Sequence, residues 1–417
     1  MITRALFFKK TIGSNRNFAI IVIIFILSLG IAVCVREGKD LKVGLFGVEQ
    51  TLHKKSPYEN PTDPNRPLFR YAPGFAILQY PFLLKSKMVA PFEFKNITPS
   101  VLAWYAAVIA SLFLSAMILL RLIPSASREI SLTNLKLSFL MAMPLIGYEL
   151  ANGQNKLMAL FFMLLALLLF EKKRMFLSAL SFNLALTIYI PSAVFVLYFL
   201  LRSKGRYVVS FIVGALVVFV LLPSLIFGVD FNIFLLKDWF VRCLKPFFFT
   251  ISQMTYIDLR TSSQSLPSAI SRIFVSGHTG TFKYLISPLS LHMMIMFFSG
   301  LILLFSCLAV WKNSQGISKG LGIAVFLILA LILPQYCIYY TWAWLFVVYL
   351  AAFNYMSFSE VTSDHRRLLR GLVIFLFMTS WLISVRPFNH LSFLFWGTLF
   401  MGLGLVSVLL SSSTQEA

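Results

Sequence analysis

Long uncharged apolar runs alternate with short polar turns along this chain, and the runs are too uniformly apolar for a core that water surrounds. Asn17–Val35, Val101–Leu120 and Val208–Phe227 each come close to the ~20 residues a helix needs to cross the hydrocarbon layer of a bilayer. The pattern predicts ten to twelve transmembrane helices, at 17–35, 99–121, 131–150, 155–170, 174–188, 190–201, 207–228, 286–311, 319–334, 338–354, 369–385 and 391–410. The segments beside Pro191 and Pro334 are short. Proline removes a backbone donor and kinks a helix, so each flanking pair reads either as a hairpin or as one bent helix. The expected fold is all-α: one polytopic membrane domain over residues 1–417.

The turns alternate in charge. Arg121/Arg128, Lys172/Lys173/Arg174, Arg202/Lys204/Arg206, Lys312/Lys319 and Arg366/Arg367/Arg370 fall on the side of the N-terminus. The opposite turns, Ala151–Gln154, Tyr189, Gln335–Cys337 and Arg386–His390, hold hardly any basic residues. Basic turns stay on the cytoplasmic side, so both termini are expected there, in the plasma (inner) membrane. Arg4, Lys9, Lys10 and Arg16 precede the first run, and no small-x-small cleavage pattern follows it; it reads as an uncleaved signal-anchor.

Two longer segments, 36–98 and 229–285, are left on the outer side. Within Asp40–His53, residues Leu41, Leu45, Val48 and Leu52 recur at helical spacing on one face. That helix is too short to span and is expected to lie in the interface. Leu235, Trp239 and Phe247–Phe249 suggest a second interfacial element. The apolar run between Arg70 and Lys85 contains Pro73 and Pro81 and is too short to span, which fits a re-entrant or surface-lying segment.

Composition agrees with this picture: 59% of the residues are hydrophobic and 12% charged, against about 45–50% and about 25% in soluble domains. Mean hydropathy is +0.84. The net charge of +21 sits in clusters between apolar runs, which points to anionic lipid head groups or a phosphate-bearing lipid. No nucleic-acid recognition module is visible, so no nucleic-acid partner is expected. The four cysteines, Cys34, Cys243, Cys307 and Cys337, form neither a disulfide framework nor a metal-ligand spacing. The histidines are equally scattered, and no metal site or cofactor is expected. No nucleotide-phosphate loop or hydrolase motif occurs, so any chemistry belongs to the outer side and does not draw on a soluble nucleotide sugar.

Polar residues at the outer ends of the spans are the candidates. Asp40, in GKDLKV, reads as a general base at a helix mouth or as a solvated acid between Lys39 and Lys42; the residues alone favour the latter. Asn152–Lys156, NGQNK, opens a helix with amides and an ammonium, suited to anionic or hydroxylated ligands, or is a tight turn with a snorkelling lysine. Ser262–Arg272, SSQSLPSAISR, carries hydroxyls, an amide and an arginine that suit sugar or phosphate, in what reads as a polar loop. Arg70, Lys156, Arg242, Lys245, Arg260 and Arg272 form a basic set in which arginines suit bidentate phosphate contacts and most members suit head-group anchoring.

Taken in order, these pieces resemble glycosyltransferase family 87, transferases of the GT-C architecture that use polyprenol-phosphate sugars. The resemblance rests on Asp40–Val43, Ser56-Pro57-Tyr58, Arg70-Tyr71-Ala72-Pro73, Gly153-Gln154-Asn155, the stretch from Arg174 to Pro191, and Ser263-Gln264-Ser265-Leu266 with Arg272, over about residues 17–275. It implies a hexosyltransferase, mannosyltransferase-like, with an extracytoplasmic site, a polyprenyl-phosphate sugar donor and a lipid or glycan acceptor. It assigns Asp40 as general base and Arg70, Tyr71, Gln154, Asn155, Lys156, Gln264, Ser265 and Arg272 as substrate contacts. The chain departs from the family in two places. Thr187 and Ile188 precede Tyr189 where the family often has a basic residue. Leu333-Pro334-Gln335-Tyr336-Cys337-Ile338-Tyr339 replaces a motif ending in histidine, leaving Tyr339 or Tyr340 to bond a phosphate without supplying charge. The rival readings are a lipid or solute transporter or flippase and a non-catalytic assembly factor. Spans nearly free of ionisable residues and long asymmetric outer loops favour an enzyme working at one face.

Overall fold

Helices form where the apolar runs predict them, and they stop where charge, glycine or proline interrupts the run. The structure, a computed structural model, describes Ile23 and residues 39–58, 69–83, 99–203, 205–245, 263–276, 283–313, 315–334, 337, 339–382 and 391–412. The first predicted span lies outside the described residues but for Ile23. The described helices are α1 (Lys39–Leu52), α2 (Pro73–Leu83), α3 (Pro99–Leu122), α4 (Arg128–Ala151), α5 (Lys156–Glu171), α6 (Met175–Ile188) and α7 (Phe195–Ser203). They continue with α8 (Tyr207–Phe227), α9 (Val229–Trp239), α10 (Leu266–Phe274), α11 (Pro288–Asn313), α12 (Lys319–Ile332), α13 (Leu345–Met356), α14 (Ser363–Trp381) and α15 (Phe393–Ser411). Among the described residues, strand is confined to a short antiparallel pair, Val275–Ser276 with Lys283–Tyr284.

The protein is an all-α polytopic membrane protein. Among the described residues, five helices (α3, α4, α8, α11 and α15) are long and apolar enough to cross a bilayer, and four shorter apolar helices accompany them. Side chains cap the starts of some helices, α4 and α14 among them. Ser127 Oγ accepts from Ile130 N at 3.2 Å to open α4, and Thr362 Oγ1 accepts from His365 N at 3.3 Å to open α14. Each side chain satisfies a donor that the first helical turn would otherwise leave unpaired.

Burial separates two kinds of apolar helix. α12 and α13 are enclosed on all sides, as a helix that is hydrophobic all round must be in a protein interior; their buried residues run unbroken over Gly320–Ile332 and Leu345–Ala352. α8 and α11 instead present apolar side chains outward, with Val209 70%, Leu225 73% and Met293 62% exposed. Apolar surface on that scale is the face that lipid covers.

Both proline-flanked pairs are hairpins. Phe199 on α7 lies 5.2 Å from Phe182 and from Phe170 and stacks on Tyr207 at 4.4 Å, ring centroid to centroid. Phe170 ends α5 and Tyr207 starts α8, so α7 has doubled back beside α6. For the second pair, a Cβ on Gly320, near the start of α12, would lie 3.6 Å from Ala351 Cβ, near the end of α13. Only antiparallel arms bring those positions together.

These turns sort the bundle into two ends. At one end Lys319 pairs with Glu171, Ala126 N donates to Ser357 Oγ at 3.3 Å and Asn313 bonds Leu409 O. The basic turns gather there. At the other end lie the Asn152–Lys156 turn, Ile188–Tyr189 and Cys337–Trp344.

The described parts of the segments 36–98 and 229–285 pack on this second end. In α1, Leu41 and Val48 are buried and Leu45 packs against the core, but Leu52 is 37% exposed, because the helix unwinds there into a left-handed Lys54 (φ 57°). α2 is the apolar run read as re-entrant or surface-lying; its residues Pro73 to Ala76 are buried. Its entry depends on a π-helical segment in α8, Leu216–Leu221. A Cβ on Gly74 would meet Val218 O at 3.0 Å, so glycine permits the close approach. π turns displace carbonyls from their usual donors, and the buried Asn232 of α9 serves two of them, its Nδ2 donating to Phe219 O at 3.2 Å and Val220 O at 3.1 Å.

Packing between α14 and α15 is tight enough to test. A Cβ on Gly397 would fall 2.2 Å from Thr379 Oγ1, whereas one on Gly371 would meet nothing within 4 Å. Gly397→Ala is expected to destabilise the protein by about 1–3 kcal/mol through overpacking. Gly371→Ala is expected to be neutral or to stabilise by up to about 1 kcal/mol through helix propensity. Thermal melting in detergent compares the two, and equal melting temperatures would contradict this packing.

Candidate active site

α4 and α5 are joined by a tight turn that Gly153 makes possible with φ 67°. Asn155 occupies the cap position of α5, yet its side chain makes no capping bond. Glu149, in the last turns of α4, takes that role. Its Oε1 accepts from Lys156 N at 2.6 Å and from Leu157 N at 3.1 Å. A carboxylate there satisfies two orphan donors and faces the positive end of the helix dipole.

Neighbouring elements then hold the turn by its carbonyls. Trp104 Nε1 of α3 donates to Gly153 O at 3.1 Å. Trp344 Nε1, just ahead of α13, donates to Lys156 O at 2.9 Å. The backbone N–H of Asp40, in the first turn of α1, donates to Asn152 O at 3.3 Å. Asp40 is half-buried, and its carboxylate lies within electrostatic reach of Tyr105, Glu149 and Lys156.

Lys156 does not snorkel. It is 8% exposed, with the Tyr71 and Tyr189 rings, Ile188 O and Trp344 packed around the start of α5. Its ammonium donates to Asn155 Oδ1 at 3.1 Å and Ile188 O at 3.3 Å. It also sits 4.9 Å from the ring centroid of Tyr71 and 5.4 Å from that of Tyr189, where the ring faces attract a cation. Gln154 and Asn155 are buried beside it.

The Ser56–Tyr58 and Arg70–Pro73 segments meet beneath this lysine. Tyr58 Oη donates to Tyr71 O at 2.9 Å, and burial pushes the Tyr58 phenol well above its ordinary pKa. Trp239 Nε1 donates to Arg70 O at 3.3 Å, Ala72 N donates to Thr187 O at 3.4 Å, and Ser56 Oγ bonds Asp238. These bonds seat the Tyr71 ring under the ammonium. The Arg70 side chain is exposed, and Arg242 is engaged by Asp238 at 2.5 Å.

The Ser262–Arg272 strip is not the polar loop that its composition suggests. From Leu266 it is helix α10, and Ser265 is its cap, with Oγ accepting from Ser268 N at 3.4 Å. Gln264 and Ser265 are fully buried. Gln264 N donates to Cys337 O at 2.8 Å, and Cys337 N donates to Ser263 Oγ at 3.4 Å. Tyr189 Oη donates to Ala330 O at 3.0 Å and lies 3.9 Å from Cys337 Sγ, so the strip joins the lysine site through Tyr189. Arg272 ties the strip to the start of α15: Nη2 donates to Ser263 O at 2.8 Å and Nε to Ser392 Oγ at 3.1 Å.

Other sequence candidates fall elsewhere. Arg260, Cys34 and the Phe247–Phe249 cluster lie outside the described residues, as do the side chains of Tyr339 and Tyr340. Cys243, Cys307 and Cys337 are free thiols. Among the described residues no group of three or more His, Cys, Asp or Glu is placed to hold a metal ion. Glu149, Trp104 and Trp344 were not among the sequence candidates. Glu149 carried a signal all the same, being an ionisable residue within an apolar run, where such a residue marks a functional site by default.

Membrane-length helices that bury a lysine and a glutamate beside an aspartate at one end define a polytopic membrane protein with a polar site at that end. The chain belongs to glycosyltransferase family 87, whose family model matches residues 69–318. It is therefore a membrane glycosyltransferase, which moves a sugar from a donor to an acceptor. The match includes Arg70, Tyr71, the Asn152–Lys156 turn and α10; Asp40 and Tyr58 precede it, and Tyr339 and Tyr340 follow it. No curated protein matches the chain.

Burial pushes the Cys337 thiol up to about 12, so below that pH it stays protonated, and the thiolate is the species that alkylates. Maleimide at pH 7.5 is expected to leave Cys337 unlabelled in the native protein and to label it after denaturation in SDS. Peptide mass spectrometry reads the difference, and rapid native labelling would contradict the closed packing around Tyr189.

Proposed function

We propose that this glycosyltransferase takes a hexose from a polyprenyl-phosphate donor and passes it, with inversion, to a hydroxyl of a lipid or glycan acceptor. The observation that carries this reading is the bond from Asp40 N to Asn152 O, which seats the start of α1 on the turn that buries Lys156. A carboxylate next to a buried cation suits a reaction in which one partner must lose a proton and the other leaves as an anion.

In the proposed reaction Asp40 takes the proton from the acceptor hydroxyl as general base. The acceptor oxygen forms its bond to the anomeric carbon as the bond from that carbon to the phosphate oxygen breaks. The bonding electrons leave with the polyprenyl phosphate, which departs ionised and needs no general acid. The ammonium of Lys156 stabilises the charge that develops there, with Asn155 and the Tyr71 and Tyr189 rings keeping it in place. Gln264, Ser265 and Arg272 shape the wall next to Tyr189. The exposed Arg70, and Tyr339 and Tyr340, would contact the substrate from the mouth of the site. α2, apolar and set against α6 and α8, offers a surface for the prenyl chain.

The basic turns gather at the end of the bundle away from Asp40. By the positive-inside rule a cytoplasmic basic end supports the reading of both termini in the cytoplasm and of the site on the outer face of the plasma membrane. A C-terminal tag is then expected to be digested by protease only after the cells are permeabilised. Digestion in intact cells would reverse the orientation.

Asp40→Asn is expected to lower transfer of radiolabelled hexose from polyprenyl phosphate to membrane acceptors by at least about a hundredfold, with unchanged thermal stability. Turnover at the wild-type rate would remove Asp40 from the reaction. Lys156→Ala is expected to raise the donor concentration needed for half-maximal rate by about tenfold or more, since a charge-assisted bond contributes about 1.5–3 kcal/mol. An unchanged donor dependence would clear Lys156 of the phosphate role.

A further inference from the structure

We propose that Glu149 and Gln154 form a subsite that reads the hydroxyls of the sugar carried on the donor phosphate. This rests on the reading of Lys156 as the phosphate partner. Both residues belong to the turn between α4 and α5, joined by the bond from Gln154 N to Glu149 O at 3.2 Å. Glu149 is completely buried and Gln154 is 3% exposed. Capping α5 occupies one oxygen of Glu149; the other, Oε2, has no hydrogen-bond partner, and neither has Gln154 Oε1.

Both vacant atoms are acceptors. A buried acceptor left unpaired costs about 1–3 kcal/mol, so two on one turn call for a ligand that brings donors. Phosphate oxygens cannot serve, because an ionised phosphate has no hydrogen to give. Sugar hydroxyls can serve, each donating its O–H to one of these oxygens. The position selects which sugar. Lys156 follows Gln154 by two residues, and its ammonium is the group assigned to the phosphate. The sugar covalently joined to that phosphate is the hydroxyl-bearing group that must lie within a few ångströms of it. Tyr105 strengthens the assignment, since its hydroxyl is buried, also has no hydrogen-bond partner, and lies within electrostatic reach of Asp40. Asp40 keeps its assignment to the acceptor.

The test compares binding of undecaprenyl phosphate with binding of undecaprenyl phosphate glucose and undecaprenyl phosphate mannose to the full-length protein in detergent. At least one glycosylated lipid is expected to bind the wild type about tenfold tighter than the bare lipid, the value of one good hydrogen bond to a charged group. Glu149→Gln keeps an oxygen to cap α5 but removes the charge; Gln154→Ala removes the second acceptor. Each is expected to weaken binding of the glycosylated lipid and erase most of the preference for the sugar, without weakening affinity for undecaprenyl phosphate. Equal loss for both kinds of lipid would make Glu149 a structural cap and overturn the subsite, as would a preference that survives in both variants or is missing from the wild type. Lys156→Ala is the separate control. If it binds undecaprenyl phosphate as the wild type does, the phosphate assignment fails, whatever Glu149 does. If it loses that binding while the two turn variants keep the sugar preference, only the subsite fails.

Discussion

A charged side chain in an apolar bundle is costly unless its polar atoms are partnered, and on the α4–α5 turn the Lys156 ammonium and one oxygen of Glu149 are partnered while Glu149 Oε2 is not. Glu149 gives one oxygen to the two leading N–H groups of α5. Lys156, at the start of the same helix, gives its ammonium to a carbonyl, an amide oxygen and two ring faces. The two charges occupy one turn without a direct ion pair, so each stays committed to holding the backbone or the rings. Burying either alone would be expensive in this environment. Held together, they give the site a fixed electrostatic frame.

Four separate stretches of chain depend on that turn. α1 bonds Asn152, Trp104 bonds Gly153, Trp344 bonds Lys156, and Ile188 at the end of α6 accepts from the lysine side chain. The interactions come from residues far apart in sequence. Tryptophan suits this task, because its large ring packs in the apolar bundle while its single N–H reaches a carbonyl. The outer layer repeats the device, with Tyr58 and Trp239 bonding the carbonyls of Tyr71 and Arg70.

The two proline-broken hairpins serve the same end of the molecule. Each turns back before completing a long span, and each turn delivers a site element: Tyr189 from the first, Cys337 and Trp344 from the second. Short helices therefore leave room at this end for α2 and α10, whereas the opposite end is closed by ordinary basic turns. Family membership makes the protein a glycosyltransferase. The buried polar cluster lies at the end where the helices are interrupted, in keeping with the rule that irregular backbone at membrane depth is tolerated where protein buries it or where it lines a cavity.

Hydrophobic run length was enough to predict an all-α polytopic membrane protein, because a bilayer accepts little else and every span must state its apolarity locally. Order and spacing of short motifs were enough to suggest the family, since those pieces lie in sequence as they do in function. Periodicity placed α1, and the prolines marked both interruptions. Other features lay beyond any local signal. Lys156 reads as a surface lysine until Tyr71, Tyr189 and Trp344 enclose it, and the serine-rich strip reads as a loop until burial shows it to be a capped helix. Glu149 reads as a stray charge in a span until its carboxylate meets the N-terminus of the next helix. Each depends on which distant segment packs on top, and burial of a polar group is a property of the whole assembly that neighbouring residues in the chain do not encode.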